Sequence, residues 1–315
     1  MILVTGANGF IGSKLVNFFC ESNRPVRSLS RNEVDLSGNF DNLNTSVLTD
    51  IFKDIDTVIH AAAKVHSMKK TELDAIEAYR SVNVNGTCLL AEKAAAAGVR
   101  RFIFLSSLKV NAETSDDKLL FSPDLNENRS DLFNKRLDSL DSYVISKYEA
   151  EKKLLKISAR TGLEVVILRL PLVYGPGAKG NLARLIKLLE LNLPIPLASV
   201  KNRRSFIGID NLINIIDCCI DHADAPGKIF LVSDGKDLST PDLLRLIASS
   251  MGRSALLFPF PILLLKLFSF FIGKSREMNR LSESLQADIN YTMKTLNWLP
   301  PVSVEDGLRR MVKDK

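Results

Sequence analysis

An α/β fold built on a doubly wound parallel sheet, with a smaller and mostly helical second domain, follows from three observations. The first half of the chain alternates short, β-branched apolar runs with longer helical stretches. A glycine-spaced turn joins the first of those runs to the first helix. After Tyr174 the alternation gives way to Gly175-Pro176-Gly177 and a largely helical remainder.

The runs Ile2–Thr5, Val26–Leu29, Thr57–His60, Phe102–Leu105 and Val165–Leu168 are mostly apolar, as strands covered on both faces must be. Helical stretches over 9–21, 75–97 and 143–159 separate them, and Gly98 after the alanines 94–97 reads as a glycine C-cap. A further helix over 182–190, Pro194 and Pro196, and a strand-like Ile229–Val232 lead into the helical C-terminal third. The expected division is a large domain of residues 1–174 plus 203–236, and a small one of 175–202 plus 237–315.

Of the 315 residues 46% are hydrophobic and 25% charged, enough for a real core. The net charge of +6 comes from Lys and Arg spread along the chain. That dispersal excludes a nucleic-acid surface and suits a small polyanion instead. Cys20, Cys88, Cys218 and Cys219 lack metal-ligand spacing, so no metal site is expected, and free thiols in a reducing cytoplasm are. The first strand starts at Met1-Ile2-Leu3-Val4, so no leader is expected ahead of it, and the same compartment is expected. The apolar segment Leu256–Ile272 is divided by two prolines and Lys266 and falls short of the roughly 20 residues a spanning helix needs. It is expected to pack on its own domain or a partner subunit, in a homodimer, with peripheral contact to a membrane surface as the alternative.

The first strand runs directly into Thr5-Gly6-Ala7-Asn8-Gly9-Phe10-Ile11-Gly12. At a strand-to-helix junction, glycines at 6, 9 and 12 allow a tight turn, close backbone approach to a pyrophosphate and close helix packing. The helix N-terminus adds N–H groups and positive dipole for the phosphates. The large domain is therefore expected to bind a dinucleotide. Where an enzyme selecting NAD places an acid after the second strand, this chain reads Ser30-Arg31. A guanidinium suits a 2′-phosphate, so NADP(H) is the expected cofactor and NAD(H) the alternative.

Tyr143 and Lys147 stand four residues apart on a helix and share one face. A nearby ammonium is expected to lower the phenol pKa from about 10 and make Tyr143 a proton donor and acceptor. Ser106-Ser107 at a strand end completes the constellation.

Together these features resemble the extended short-chain dehydrogenase/reductases, a Rossmann-type branch of sugar-nucleotide epimerases, dehydratases and 4-keto reductases. His60-Ala61-Ala62-Ala63, Asn83-Val84-Asn85-Gly86-Thr87, Arg169–Gly177 and Arg203–Asp210 match its other segments. The resemblance implies that Ser107 bonds the sugar oxygen at C4, Tyr143 moves the proton, and Lys147 binds the nicotinamide ribose. It implies a cofactor site of Gly6, Asn8, Gly9, Phe10, Ile11, Gly12, Ser30, Arg31, Ala61, Ala62, Ala63, Lys64, Asn83, Pro171 and Val173, with Tyr143 and Lys147. Asn181, Arg204 and one of Arg276 and Arg280 are implied for the UDP portion of the substrate, beside Ser107. The 4,6-dehydratases carry Asp-Glu after the catalytic hydroxyl, where this chain has Leu108-Lys109, so water elimination lacks its acid and base. Reduction of a UDP-4-keto-6-deoxy-N-acetylhexosamine is the expected reaction, with UDP-glucose or UDP-N-acetylglucosamine 4-epimerisation the alternative. A polyprenyl-diphosphate-sugar epimerase and a non-catalytic dinucleotide sensor are the remoter expectations.

Overall fold

The computed structural model describes residues 1–30, 50–65, 72–111, 141–178 and 180–313. β1 (Ile2–Thr5), β2 (Val26–Leu29), β3 (Thr57–His60), β4 (Arg101–Ser107), β5 (Glu164–Leu170) and β8 (Ile229–Leu231) form a parallel sheet in the order β2-β1-β3-β4-β5-β8. β6 (Leu172–Tyr174) and β7 (Phe206–Gly208) pair in a second, two-stranded sheet.

Strand residues alternate between two cores, as a period of two requires. Ile2, Val4, Ile59, Ile103 and Leu105 face Leu15 and Phe19 of α1 (Phe10–Glu21) and the apolar side of α6 (Ile209–Asp221). Leu3, Val58, Phe102 and Phe104 face the opposite layer, where α3 (Thr87–Ala96) and α4 (Ser142–Thr161) contribute Leu90, Ala94 and Leu154. From β1 the chain crosses outward to β2, then returns past β1 to β3. That reversal opens a crevice at the carboxyl ends of β1 and β3, where open parallel sheets bind ligands.

The helix expected over 75–97 is interrupted. α2 (Glu72–Tyr79) and α3 are joined by a π-helical segment, Arg80–Gly86, which carries Asn83. Such wide turns are frequent at functional sites.

A third core forms between α5 (Asn181–Glu190), α7 (Thr240–Ser250) and α11 (Val304–Lys313), through Ile186, Leu244, Ile247 and Leu308. Residues 285–298, which include α10 (Asn290–Leu296), do not join it. Leu285, Ile289, Leu296 and Trp298 pack into the core beside the large sheet. Thr292 Oγ1 donates to the Leu231 carbonyl (2.7 Å) and Trp298 Nε1 to Asn214 Oδ1 (2.7 Å). The helical hairpin of α8 (Ile262–Phe271) and α9 (Ser275–Ser282) lies at the small domain's edge. No helix among the described residues is long and apolar enough to cross a membrane. None of their His, Cys, Asp and Glu side chains cluster to hold a metal ion.

Candidate active site

The glycine turn is fixed by what its missing Cβ atoms would strike. Gly6 has φ +71°, and a Cβ there would lie 2.7 Å from the Ala62 nitrogen. One on Gly12 would lie 2.2 Å from the Gly6 carbonyl oxygen. The turn is thus pressed against the end of β3, and α1 against the turn. Gly9 would meet only the Gly6 oxygen, at 3.1 Å, and no side chain caps α1. The arrangement leaves an uncapped helix N-terminus over a glycine floor, with Asn8 exposed at its rim. Phe10 turns towards Gly175, so the β6 end closes beside the same turn.

His60 fastens the floor from below. Its Nδ1 lies 2.7 Å from Thr5 Oγ1 and its Nε2 2.9 Å from Thr87 Oγ1, with Phe104 stacked at 5.9 Å. Burial, reinforced by the Lys147 charge, pulls its pKa down to about 3, so the ring is neutral. After β3, the Lys64 backbone is held from both sides by Asn83. The Asn83 Oδ1 accepts from Lys64 N (2.8 Å), and its Nδ2 donates to the Lys64 carbonyl and to Ser146 Oγ (both 3.0 Å). Asn83 therefore serves the cleft by tying the Ala61–Lys64 wall to the turn of α4 that carries Tyr143 and Lys147.

Two contacts bring the start of α4 across the end of β4. Val110, three residues beyond Ser107, packs on Val144, beside Tyr143. Lys147 Nζ donates to the Leu105 carbonyl at 2.8 Å and sits 4.4 Å from the centre of the Phe104 ring. Ser107 caps a short 3-10 turn, its Oγ accepting from Lys109 N at 3.3 Å. Asp141 caps α4 by accepting from Tyr143 N at 3.1 Å. Tyr79, absent from the sequence reading, meets the Tyr143 ring edge-on at 6.1 Å and donates to the Val65 carbonyl.

The electrostatics correct one expectation. The phenol of Tyr143 is raised to about 12, by burial first and then by the charge of Asp141. The expected lowering by Lys147 is not found; its ammonium is bound to the Leu105 carbonyl and lies over Phe104. Lys147 itself is pulled down to about 7 by burial, against the opposing pull of Glu151. Glu151 lies one turn further along α4, on the same face. It takes hydrogen bonds from Ser106 and Arg169, and Arg169 Nη1 reaches Asn111 Oδ1 at 3.0 Å. The i, i+4, i+8 spacing of Tyr143, Lys147 and Glu151 is the signal that could have revealed this carboxylate.

The predicted substrate arginines divide into two groups. Arg204 is partly buried, its Nη1 donating to the Glu283 carbonyl at 3.0 Å. Burial depresses its pKa, and the charge of Arg280 adds to that depression. Arg280 lies 3.9 Å from Asp141, the cap of the Tyr143 helix. The Arg280 charge thus opposes the Arg204 charge, an opposition that a bound anion would relieve. Asn181 opens α5 and Arg276 falls in the first turn of α9, but their side chains lie outside the described set, as does all of Arg31. Ser30 follows β2; Arg27 is turned away, with its Nη1 donating to the carbonyls of Asp50, Ile51 and Lys53. Pro171 is buried at the end of β5 and Val173 is partly buried in β6.

The profile of the NAD dependent epimerase/dehydratase family matches residues 2–233. A UDP-glucose 4-epimerase of Vibrio cholerae is 38% identical over 98% of this chain and 93% of its own. Among solved structures, the UDP-glucose 4-epimerase of Thermotoga maritima with UDP-glucose superposes with a TM-score of 0.72 at 21% identity, covering 99% of this chain and 97% of that one. That of Thermus thermophilus in complex with NAD gives 0.72 at 20%, covering 99% and 98%. At those identities the two structures establish the fold.

Proposed function

Because the chain belongs to the NAD-dependent epimerase/dehydratase family, we propose that it interconverts the C4 epimers of a UDP-linked hexose or N-acetylhexosamine. The observation that carries this reading is the convergence of Ser107, Lys147 and Tyr143 on one strand end and one helix turn. The kinship with the V. cholerae 4-epimerase points to which of the family's reactions they serve. Leu108 and Lys109 after Ser107 argue against dehydration. The reductase reading rests on Arg31 and has less support than the epimerase.

The glycine floor fits a nicotinamide dinucleotide, since side chains at Gly6 and Gly12 would collide with the backbone that shapes it. Residues 6–12 and the α1 terminus would hold its diphosphate, and Ala61–Lys64, Pro171 and Val173 would line the remainder. When bound, that group supplies the hydride acceptor and donor. Tyr143 Oη takes the proton of the C4 hydroxyl and returns it, and Ser107 Oγ bonds the same oxygen. With its pKa at about 12 the phenol is a donor; to accept, it requires the Lys147 ammonium to leave the Leu105 carbonyl and approach it. Arg204 and Arg280 hold the substrate diphosphate.

The test is to incubate the purified chain with UDP-glucose and UDP-N-acetylglucosamine, adding trace NAD or NADP and no reductant. NMR should show the C4 epimer rising to equilibrium for at least one sugar. No epimer, together with NADPH consumption on a UDP-4-keto sugar, would replace this reading with the reductase.

A further inference from the structure

Helix α8 is inverted relative to an ordinary surface helix. Ile262 and Leu265 pack on the small domain's core, and the side facing the protein also carries Ser269, which is buried. The outward side carries Leu263, Leu264, Leu267, Phe268, Phe270 and Phe271, which are 49 to 79% exposed. At 100° per residue these six positions sweep an arc of about 160°, nearly half the helix circumference, without a polar residue. The surface continues into the preceding segment, where Leu256 and Phe258 are exposed and pair with the backbone of Ile195. Leu191 and Leu193, just before Ile195, are exposed as well. A patch this continuous is covered when the protein works.

We propose that α8 docks on a lipid bilayer surface carrying anionic headgroups, lying in the interface plane. Charge is what selects this occupant. Residues 251–275, the helix and its flanks, contain Arg253, Lys266 and Lys274 and no acid. Lys274 is exposed at the C-terminal end of α8, and Lys266 reaches from mid-helix to Glu283 at 3.7 Å. An apolar face with phenylalanines, bordered by cations, complements an anionic bilayer in both respects. A second copy related by a two-fold axis would bring this cationic border against itself. With ten residues, α8 is far too short to span.

The experiment uses the full chain in cosedimentation with vesicles of phosphatidylcholine, alone or with one quarter phosphatidylglycerol. The chain should pellet with the mixed vesicles and much less with phosphatidylcholine alone, and salt should weaken the binding. Phe268→Ser with Phe271→Ser should abolish pelleting at an unchanged melting temperature, because both side chains are exposed. Lys274→Ala should weaken binding about fivefold, the factor one lost charge near an anionic surface gives. Failure of the wild-type chain to pellet with the mixed vesicles overturns the proposal. So does sedimentation velocity showing a dimer that the double phenylalanine variant converts to monomer while vesicle binding stays unchanged.

Discussion

The guanidinium of Arg169 lies across the carboxylate of Glu151, Nη2 to Oε2 2.5 Å, with both side chains almost wholly withdrawn from water. This pair joins β5 to α4 directly beneath Ser106 and one turn from Lys147. Removing one partner strands a buried charge. Glu151→Ala should therefore lower the unfolding free energy by about 3–5 kcal/mol, read from urea denaturation. The double variant Glu151→Leu with Arg169→Met should recover much of that loss, since apolar replacement of a buried pair is often neutral. A single variant as stable as wild type would show the pair contributes little.

His60 makes stability fall in acid. Its folded pKa is about 3 against an unfolded value of 6.5, so between those values the unfolded chain binds the extra proton. Stability should therefore decline as pH drops from 6.5 towards 3, by a few kcal/mol at most of the roughly 1.4 per unit that linkage allows. In His60→Asn that decline should be shallower. Parallel stability profiles for the two proteins over that range would remove His60 as the cause.

A guanidinium at position 31 suits a 2′-phosphate. NADP(H) should bind about tenfold more tightly than NAD(H), the worth of one charge-assisted contact to a 2′-phosphate, and Arg31→Ala should erase the difference. Arg27→Ala should leave the ratio alone, because that guanidinium is spent on the carbonyls of Asp50, Ile51 and Lys53. Equal affinities in a fluorescence titration of the unaltered chain would contradict the assignment.

Arg204→Ala should raise the KM for the UDP-sugar by ten- to a hundredfold, as loss of a charged hydrogen bond worth about 1.5–3 kcal/mol would. Dinucleotide affinity should stay near wild type. Equal losses for UDP and for the dinucleotide would assign Arg204 a purely structural role, through its bond to the Glu283 carbonyl.

The sheet was legible because parallel strands buried on both faces are continuous apolar runs, and Ile2–Thr5 and Thr57–His60 begin and end where those runs do. The glycine turn was legible because its spacing has a steric cause. The break in the 75–97 helix was not, since one wide turn leaves the apolar periodicity almost unchanged. The phenol pKa departs from expectation for a different reason: sequence spacing places Lys147 on the right face but cannot reveal the burial of Tyr143 and the charge of Asp141, which raise it. The packing of 285–298 on the large core likewise depends on long-range partners, Leu231 and Asn214, that no local pattern announces.

The proton carrier is the centre of the account, and Tyr143→Phe tests it with least disturbance. The substitution removes one hydroxyl and keeps the ring that packs on Tyr79 and Val110. C4 epimerisation of the preferred UDP-sugar should fall below a few per cent of wild type while dinucleotide affinity and melting temperature are unchanged. Ser107→Ala, measured alongside, should lose on the order of a hundredfold in rate. Epimerisation by Tyr143→Phe at more than a few per cent of the wild-type rate would contradict the account.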